Sequence, residues 1–323
     1  MNTIKWGIIG CGDVTEVKSG PAFNKVPDSS LVAVMRRDAK KAADYGARHG
    51  VPRWYDDAQQ LINDPDVNAV YVATPPIYHE EYTIAALKAG KPVYVEKPMA
   101  LSEAACRRMV EAAIANNTKL SVAHYRRGMP LYLKVKELLD AGVIGKVLFV
   151  NLQILQPPGS GIIVNTPENW RVNPAISGGG LFHDLSPHQL DLMIYYFGGV
   201  TRSSGYSANK LRLNEADDTV SGECVFENGI FFKGLWCFSV APAAAKDVCE
   251  IVGSEGKITF PFYSNDFTAN LNGKEERYSF EPLQHLQQPM IEKVVLYFLD
   301  RAPNPCTGEE AAEVLRVMES FTR

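Results

Sequence analysis

Short apolar runs alternate with amphipathic stretches over the first 120 residues of the chain. Runs rich in Val, Ile and Tyr have the length and composition of buried strands, and they occur at Ile4–Ile9, Ser30–Met35, Ala69–Ala73, Pro92–Val95 and Lys119–Ala123. Between them, apolar residues recur at helical spacing in Ala39–His49, Ala58–Ile62, Glu80–Ala89 and Glu103–Asn116. This alternation predicts βαβ units and a doubly wound parallel sheet.

The pattern changes after about residue 123, where long alternating runs replace the earlier strand–helix alternation. The alternating runs predict strands at Val147–Gln156, Val200–Asn209, Thr219–Phe226, Ile230–Val240, Asp247–Val252 and Lys257–Phe262. Glu227-Asn228-Gly229 joins two of these runs and is a strong hairpin signal, so we expect an antiparallel meander. Helical patterns occur at Met129–Ala141, Leu181–Tyr196, Gln288–Phe298 and Glu309–Phe321.

Together the two patterns predict an α/β protein with two domains. Residues 1–123 are expected to form the doubly wound domain, and residues 124–323 an α+β domain with a large, mainly antiparallel sheet. The last helix is expected to pack back on the first domain. The length of 323 residues agrees with two domains, since a domain has roughly 100–200 residues.

Composition and charge exclude several classes of protein. The chain has 33 Lys+Arg against 37 Asp+Glu and no block of like charges, which argues against a nucleic-acid partner. No run approaches the roughly 20 apolar residues of a membrane span. The N-terminal apolar run leads straight into a glycine-rich turn, so we interpret it as a strand and not a signal peptide, and we expect a cytoplasmic protein. The six cysteines contain no C-x-x-C pair and are expected to be free thiols.

The first predicted strand is followed by Gly10-Cys11-Gly12-Asp13-Val14-Thr15, which opens a helix. In a dinucleotide-binding turn, the first glycine permits the tight turn and the second lets the backbone approach a pyrophosphate. The amides at the helix start then hold the anion. We therefore expect Gly10, Gly12, Asp13 and Val14 to bind a nucleotide cofactor. The alternative is a turn with a structural role only.

The second predicted strand ends at Met35 and is followed by Arg36, Arg37 and Asp38. An acidic residue near this point binds the ribose hydroxyls of NAD, whereas a guanidinium suits the 2′-phosphate of NADP. The two arginines therefore favour NADP over NAD. The alternative is a solvated surface pair at the start of the next helix.

Two further loops follow predicted parallel strands at the sheet edge where ligands of such sheets bind. One contains Thr74, Pro75 and His79, and the other contains Glu96 and Lys97. We expect all five to contribute to the cofactor site. Lys97 is also a candidate catalytic residue, because a lysine in a cleft can polarise a substrate oxygen or lose its proton when desolvated. An isolated lysine at a strand end is otherwise a surface residue.

A fourth motif begins with Gly178–Gly180 and continues with Asp184, His188 and Asp191. The glycines allow a sharp bend or a close approach of backbone to a ligand. The three polar residues are spaced i, i+4 and i+7, which places them on one helical face. A carboxylate near a histidine orients the imidazole for proton transfer. Pro187 places a bend between Asp184 and His188 if it kinks the helix.

Two other interpretations of this motif remain open. His183, Asp184, His188 and Asp191 could supply ligands to a divalent metal, as in a metal-dependent hydrolase. However, His183 points roughly 100° away from the shared helical face, and we predict no metal site. The other interpretation is a polar helix with a buried, hydrogen-bonded histidine.

With these motifs in this order, the chain resembles the glucose–fructose oxidoreductase / inositol dehydrogenase family over essentially its whole length. The resemblance rests on Gly10-Cys11-Gly12, Glu96-Lys97-Pro98 and Gly178-Gly179-Gly180 followed by Asp184, His188 and Asp191. It implies an N-terminal Rossmann domain and a C-terminal domain whose open sheet forms a homo-oligomer, a dimer or a tetramer. It also implies hydride transfer between a nicotinamide cofactor and a hydroxyl or carbonyl group of a sugar, cyclitol or related polyol.

By the same resemblance, Lys97, Asp184 and His188 match the catalytic positions of the family. His188 then exchanges the hydroxyl proton, Asp184 orients it, and Lys97 binds the reacting oxygen. Some relatives have tyrosine in place of His188, so this chain is more similar to the inositol and anhydrosugar dehydrogenases. The Arg-Asp pair after the second strand resembles that of NADP-dependent dihydrodiol dehydrogenases. Thr15 departs from the pattern and puts the tightness of helix packing in question.

Four residues at loops or element ends near these motifs are candidate substrate contacts, with packing or an interface as the alternative: Tyr125, Arg126, Trp170 and Arg171. A competing hypothesis is a non-catalytic NADP-binding sensor that presents its sheet to a partner. Such a protein would have no need of Lys97, Asp184 and His188 together. It predicts tight cofactor binding without turnover.

Overall fold

The strands form two separate sheets in the computed structural model, which describes residues 2–160 and 169–322. The chain divides into two compact units, each built from two segments. Unit 1 consists of Met1–Met129 and Leu283–Ala312, and unit 2 of Pro130–Pro282 and Glu313–Arg323. The predicted domains, 1–123 and 124–323, divide the chain at a single point, with a return to the first domain expected only for the last helix, whereas unit 1 takes in residues 283–312.

The sheet of unit 1 has six strands in the order β3-β2-β1-β4-β5-β6, and all neighbouring pairs are parallel. Its strands are β1 (Ile4–Ile9), β2 (Ser29–Met35), β3 (Arg53–Tyr55), β4 (Ala69–Val72), β5 (Val93–Val95) and β6 (Leu120–Val122). The connecting helices are α1 (Asp13–Val17), α2 (Ala39–His49), α3 (Ala58–Asn63), α4 (His79–Lys88) and α5 (Glu103–Ala115). The predicted parallel sheet is confirmed, and this strand order is that of a Rossmann fold.

The five predicted strands of this half are all present, with ends that differ by a residue or so. β3 was not predicted. It has only three residues and lies at the edge of the sheet, where Trp54 is 46% exposed. β5 and β6 are equally short but buried at every position, whereas β3 has no buried position and so shows no apolar run.

Aromatic rings form much of the core of unit 1. Trp6 of β1 lies 4.8 Å from Phe23 and 5.5 Å from Phe298, measured between ring centroids. Tyr71 of β4 and Tyr94 of β5 are stacked with centroids 5.3 Å apart. β4 and β5 are buried at every position, which explains why both read as continuous apolar runs.

The sheet of unit 2 has eight strands in the order β14-β13-β12-β11-β7-β10-β9-β8. They are β7 (Val147–Leu155), β8 (Val200–Ala208), β9 (Thr219–Phe226), β10 (Phe231–Cys237), β11 (Lys246–Gly253), β12 (Gly256–Phe260), β13 (Asp266–Leu271) and β14 (Lys274–Ser279). The helices that follow the same numbering are α6 (Pro130–Asp140), α7 (Pro174–Ser177), α8 (Leu181–Phe197), α9 (Gln288–Phe298), which belongs to unit 1, and α10 (Gly308–Phe321). None of the helices in the described ranges has the length and apolar character needed to cross a membrane.

The mainly antiparallel sheet is confirmed, but it is not a simple meander. β7 lies between β10 and β11 and pairs in parallel with β10. The hairpin at Glu227–Gly229 is confirmed, because β9 and β10 pair antiparallel across it and Gly229 has φ +82°. β13 and β14 were not predicted. β14 is an exposed edge strand, so its charged sequence shows no apolar alternation.

Short 3₁₀ helices occur at Gly20–Asn24, Pro76–Tyr78, Tyr125–Gly128, Trp170–Val172 and Pro242–Ala244. α8 lies against the sheet of unit 2. The ring of Phe182 meets that of Trp236 edge to face at 5.1 Å, and the Trp236 indole N–H donates to Oε1 of Gln189 at 3.2 Å. Trp236 therefore fixes α8 on one face of β10.

Candidate functional site

Gly10 lies in the turn between β1 and α1, with φ +95°. Its N–H donates to the carbonyl of Met35 at 2.9 Å. A Cβ atom at this position would lie 2.7 Å from Cγ2 and 2.8 Å from the backbone nitrogen of Thr74. Both the backbone angle and the packing of unit 1 therefore require glycine here.

Gly12 is glycine for a different reason. Its φ of −145° is open to any residue, and among the described residues a Cβ atom there would meet only the carbonyl oxygen of Gly10, at 3.9 Å. The packing of the protein therefore leaves room for a side chain in front of Gly12. We call this open space the cradle at Gly12. A glycine beside it lets a ligand approach the backbone at Asp13 and Val14, where α1 begins, as the binding of a pyrophosphate requires.

Thr15 occupies the position of the third glycine and is fully buried. Its hydroxyl donates to the carbonyl of Gly12 at 2.8 Å, and its own carbonyl accepts from the Tyr45 hydroxyl at 2.7 Å. The close approach occurs instead at Gly20, where a Cβ atom would lie 2.2 Å from the Thr15 carbonyl oxygen. Thr15 thus fits without disturbing the turn.

The two arginines after β2 have different surroundings. Arg36 is half-buried and donates through Nη1 to the carbonyl of Cys11 at 3.2 Å. Arg37 is exposed; its guanidinium lies 4.7 Å from the centre of the Tyr78 ring and donates to the Tyr78 hydroxyl at 3.2 Å. Asp38 caps α2 by accepting from the backbone N–H of Lys41, and this hydrogen bond lowers the pKa of its carboxyl.

The loop after β4 contains Thr74, Pro75 and His79. The hydroxyl oxygen of Thr74 is buried and has no hydrogen-bond partner within residues 2–160 and 169–322. His79 is buried, with its ring nitrogens 2.9 Å from the carbonyl oxygen of Pro98 and 2.7 Å from that of Thr74. Burial lowers the pKa of His79, and a neutral imidazole donates to only one of these carbonyls. The His79 ring therefore lies between the loops that follow β4 and β5 and contacts one backbone carbonyl of each.

Glu96 and Lys97 follow β5. Glu96 is 6% exposed, and its carboxylate accepts from the backbone N–H of Lys97 at 3.1 Å. Lys97 itself is half-buried. It also influences His124, whose pKa is held well below its usual range by burial and by the nearby charges of Arg127 and Lys97. The end of β5 thus places the Lys97 peptide next to a buried carboxylate.

Tyr125 and Arg126 belong to unit 1 and are both buried. The guanidinium carbon of Arg126 lies 5.9 Å from the centre of the Tyr125 ring. Trp170 and Arg171 belong to unit 2, where the Arg171 guanidinium stacks 4.5 Å above the Trp170 ring. The four candidate substrate contacts therefore form two pairs of sequence neighbours, one pair in each unit.

In unit 2 the glycine triplet leads directly into α8, and each glycine has a positive φ. A Cβ atom on Gly179 would lie 2.1 Å from Nδ1 of His183, and one on Gly180 would lie 2.2 Å from Cβ of Ala216. The backbone N–H of Gly180 donates to the Ser177 hydroxyl at 2.8 Å. These contacts fix the point at which α8 begins.

α8 carries Asp184, His188 and Asp191 in one continuous helix with Pro187 inside it. Pro187 supplies no N–H for the carbonyl four residues earlier, but the helix continues through it. Asp184 forms an ion pair with Arg171, whose Nε lies 3.3 Å from the carboxylate Oδ2. His188 and Asp191 are buried. The structure thus joins a predicted substrate contact, Arg171, to a predicted catalytic residue.

His183 is next to Asp184 in the sequence but, unlike Asp184, it is not partly exposed. It is buried, and burial lowers its pKa to about 4. His183 is therefore neutral near pH 7 and packs on Gly179.

Three side chains that hold the predicted site residues in unit 1 were not predicted from the sequence. Tyr78 supports Arg37, while Tyr71 and Gln287 donate to Glu96 at 2.5 Å and 2.6 Å. Tyr78 lies inside a motif that was recognised. Tyr71 lies in the middle of an apolar strand, and Gln287 is about 190 residues from Glu96 in the chain, so neither gave a local signal.

Two family models match the chain. A model described as an oxidoreductase family with an NAD-binding Rossmann fold matches residues 4–124. A second, described as the GFO/IDH/MocA C-terminal domain, matches residues 132–259.

Relatives match over most of the chain. An oxidoreductase of Formosa agariphila is 50% identical over 318 residues, 98% of this chain and 98% of the relative. A trans-1,2-dihydrobenzene-1,2-diol dehydrogenase of Xenopus laevis is 28% identical over 88% of this chain and 83% of the relative. The crystal structure of an aldose-aldose oxidoreductase of Caulobacter crescentus complexed with glycerol has a TM-score of 0.85 at 23% identity, covering 99% of this chain and 96% of that one. This last likeness shows a shared fold.

Proposed function

This chain belongs to the GFO/IDH/MocA oxidoreductase family, and from that premise we propose that it prefers NADP and reacts through Lys97, Asp184 and His188. The protein is an NAD(P)-dependent oxidoreductase that acts on a hydroxyl or carbonyl group of a sugar or related polyol. When bound, the nicotinamide cofactor supplies or accepts the hydride.

The cradle at Gly12 is the observation that carries the cofactor assignment. Gly10 and Gly12 would hold the pyrophosphate with the backbone of Asp13 and Val14. Thr74 and Pro75 would approach the cofactor from the next loop, where the Thr74 hydroxyl, which has no partner in the described part of the chain, would bond to it. Glu96 and His79 support this edge of the sheet through the contacts described above.

Arg36 and Arg37 support the preference for NADP. The carboxylate of Asp38 accepts the capping hydrogen bond of α2 through Oδ1, so this acidic group is already partly engaged within the protein. Each guanidinium uses one N–H group in its hydrogen bond, to Cys11 or to Tyr78, and retains others for a phosphate. Stacking on Tyr78 keeps Arg37 extended beside the end of β2.

The roles of the catalytic residues follow from their chemistry. His188 takes the proton of the substrate hydroxyl during oxidation and returns it during reduction. Lys97 donates a hydrogen bond to the reacting oxygen and stabilises negative charge that develops there. The ion pair with Arg171 fixes the carboxylate of Asp184, which precedes His188 by one turn of α8. Tyr125, Arg126, Trp170 and Arg171 stay candidate substrate contacts.

The open face of the unit 2 sheet supports the predicted homo-oligomer. Phe149 of β7 and Phe231 of β10 are directly paired and are 45% and 52% exposed. Phe231 and Trp236 are five residues apart on one strand, so Phe231 lies on the face opposite α8. A second copy of the chain would bury these rings, as a dimer or a tetramer. The cytoplasmic location stays a prediction.

Titration of the dialysed protein with NADPH and NADH, followed by fluorescence, tests the cofactor assignment. We expect NADPH to bind more tightly, and Arg37→Ala to weaken NADPH binding roughly tenfold or more without changing NADH binding, because it removes a charge-assisted hydrogen bond. Lys40→Ala, an exposed charge removed three residues later, is the control. Preference for NADH would overturn the NADP assignment. Failure to bind either would overturn the cofactor site.

Turnover on a panel of cyclitols and aldoses with the preferred cofactor tests the catalytic assignment. His188→Ala should lower turnover by roughly 10²–10⁴-fold while NADPH binding is retained. An unchanged rate would overturn the role of His188. Tight cofactor binding with no turnover on any member of the panel would favour the non-catalytic sensor.

A further inference from the structure

The carboxylate of Glu96 is surrounded by hydrogen-bond donors inside unit 1. Oε1 lies 2.5 Å from the Tyr71 hydroxyl and 2.6 Å from Nε2 of Gln287. Oε2 accepts from the backbone N–H of Lys97 at 3.1 Å. A buried carboxylate is stable only when such donors compensate its loss of water. The Glu96 side chain is therefore fixed, and it fixes the peptide that carries Lys97.

The chain of hydrogen bonds continues beyond Tyr71. The Tyr71 hydroxyl also lies 3.2 Å from Oγ of Ser19, and Ser19 lies 3.3 Å from the carbonyl oxygen of Val14 in α1. Both Ser19 and Tyr71 are completely buried. Three side chains thus connect the helix after the glycine turn with the peptide of Lys97.

The direction of these hydrogen bonds follows from a count of protons. Two hydroxyl groups have two protons for three contacts: Tyr71 with Glu96, Tyr71 with Ser19, and Ser19 with Val14. The contact to the carboxylate is the shortest and is charge-assisted, so Tyr71 donates to Glu96. The proton of Ser19 is then shared between the Tyr71 oxygen and the Val14 carbonyl.

Packing alone does not explain the Tyr71 hydroxyl. The ring stacks on Tyr94 and lies 5.2 Å from the ring of Phe23, contacts that a phenylalanine would make equally well. Burial raises the pKa of Tyr71 well above its usual range, so the hydroxyl stays protonated and acts as a donor. Its partner is the carboxylate next to Lys97.

We propose that Tyr71 is a positioning residue for Lys97, acting through Glu96, and that Ser19 extends this connection to the helix after the glycine turn. This inference rests on the proposed catalytic role of Lys97. Tyr71 and Ser19 would touch neither substrate nor cofactor. Their effect on the reaction is to hold the lysine where it meets the reacting oxygen.

Tyr71→Phe removes the hydroxyl and keeps the ring. In the protein without cofactor, we expect hydrogen–deuterium exchange at the Lys97 amide to accelerate roughly tenfold, because its acceptor is no longer held. With the substrate selected from the cyclitol and aldose panel, kcat should fall about tenfold through misplacement of Lys97. The dissociation constant for NADPH should change less than about twofold, since the backbone of the glycine turn is intact.

A double-mutant cycle with Lys97→Met separates positioning from a general structural role. If Tyr71 acts through Lys97, adding Tyr71→Phe to Lys97→Met lowers kcat by less than about twofold further. An equal loss in both backgrounds would overturn the proposal, as would unchanged kcat and exchange in the single variant. If Lys97→Met alone has the kcat of the unsubstituted protein, the proposed role of Lys97 fails instead.

Two further variants distinguish a specific effect on Lys97 from a general loss of stability. Gln287→Leu removes the second donor to Oε1 of Glu96 and should also accelerate exchange at Lys97. Tyr132→Phe is the matched control, because Tyr132 is fully buried in unit 2 and its hydroxyl donates to the carbonyl of Phe262 at 2.9 Å. Tyr132→Phe should leave exchange at Lys97 unchanged. Acceleration in Tyr132→Phe equal to that in Tyr71→Phe would overturn the proposal.

Discussion

At the scale of single residues, Gly10 and Gly12 are two positions apart and are glycines for different reasons. The fold requires Gly10, whereas the described residues leave room for a side chain at Gly12, where we propose that the cofactor approaches. Gly10→Ala should therefore lower the free energy of unfolding by about 1–3 kcal/mol, because of its positive φ and its contact with Thr74. Gly12→Ala should change it by less than about 0.5 kcal/mol.

Binding of NADPH should show the reverse contrast. A methyl group on Gly12 would stand where the pyrophosphate approaches, so we expect at least a roughly tenfold loss of affinity in a variant that unfolds normally. Thermal unfolding and fluorescence titration of the two variants measure both effects. Unchanged NADPH affinity in Gly12→Ala would contradict the assignment of this turn to the cofactor.

The sequence indicated which loops form the candidate site but not what each side chain does there. Arg36, Arg37, Glu96 and Lys97 were recognisable because each follows a predicted parallel strand. That His79 is buried between two backbone carbonyls depends on the approach of a loop about 20 residues away. The pairing of Arg171 with Asp184 likewise arises only when the chain folds.

At the scale of elements, α1 and α2 are joined by a charged cluster. The Arg48 guanidinium donates two hydrogen bonds of 2.8 Å to Glu16, and Nε2 of His49 also lies 2.8 Å from this carboxylate. The hydrogen bonds from Arg48 lower the pKa of Glu16 from 4.5 to about 2. Since the pKa is lowered on folding, the stabilisation is present above pH 4.5 and is lost as the pH falls towards 2.

Glu16→Gln should therefore destabilise the protein at pH 7, by no more than about 1 kcal/mol because solvent screens this half-exposed pair. The difference from the unsubstituted protein should shrink as the pH is lowered from 5 to about 2. Chemical unfolding at several pH values measures it, with the exposed Glu81→Gln as control. A difference that is constant over this range would show that the ion pair is not its source.

Fully buried strands were predictable even when short, whereas the edge strands β3 and β14 were not. β4 and β5 are buried on both faces, so their composition alone identifies them. β14 is exposed along almost its whole length and carries Lys, Glu and Arg, which leaves no burial pattern to detect. The parallel pairing of β7 with β10 joins strands separated by α8 and two other strands, and local turn signals do not specify such a pairing.

At the scale of the whole molecule, the paired rings of Phe149 and Phe231 predict how copies of the chain associate. Replacing both with glutamate should convert the oligomer into a monomer, because two charges would be buried without partners. Light scattering after size-exclusion chromatography measures the mass. Trp54→Glu, at an equally exposed aromatic ring in unit 1, should leave the mass unchanged.

Either of two results would contradict the predicted interface. One is a monomeric unsubstituted protein, and the other is a double variant that keeps its oligomeric mass.

The number and type of the two sheets followed from the sequence, which also led us to expect the last helix on the first domain but did not identify residues 283–312 as part of unit 1. Residues 283–312 complete that unit, and the helical pattern of Gln288–Phe298 specifies a helix without specifying its partner. Its contacts, such as Gln287 with Glu96 and Phe298 with Trp6, join residues that are far apart in sequence.

Because residues 283–312 belong to unit 1, unit 1 cannot finish folding on the ribosome before they have been synthesised. Translation proceeds at about 5–20 residues per second, so unit 2 residues 130–282 take on the order of ten seconds to emerge. Throughout that interval the nascent N-terminal segment lacks the ring of Phe298 against Trp6 and the amide of Gln287 against Glu96. Although most of the nucleotide-binding unit is synthesised first, the unit is completed only after that central segment. Until then its incomplete core would expose apolar surface to chaperones that bind such surface.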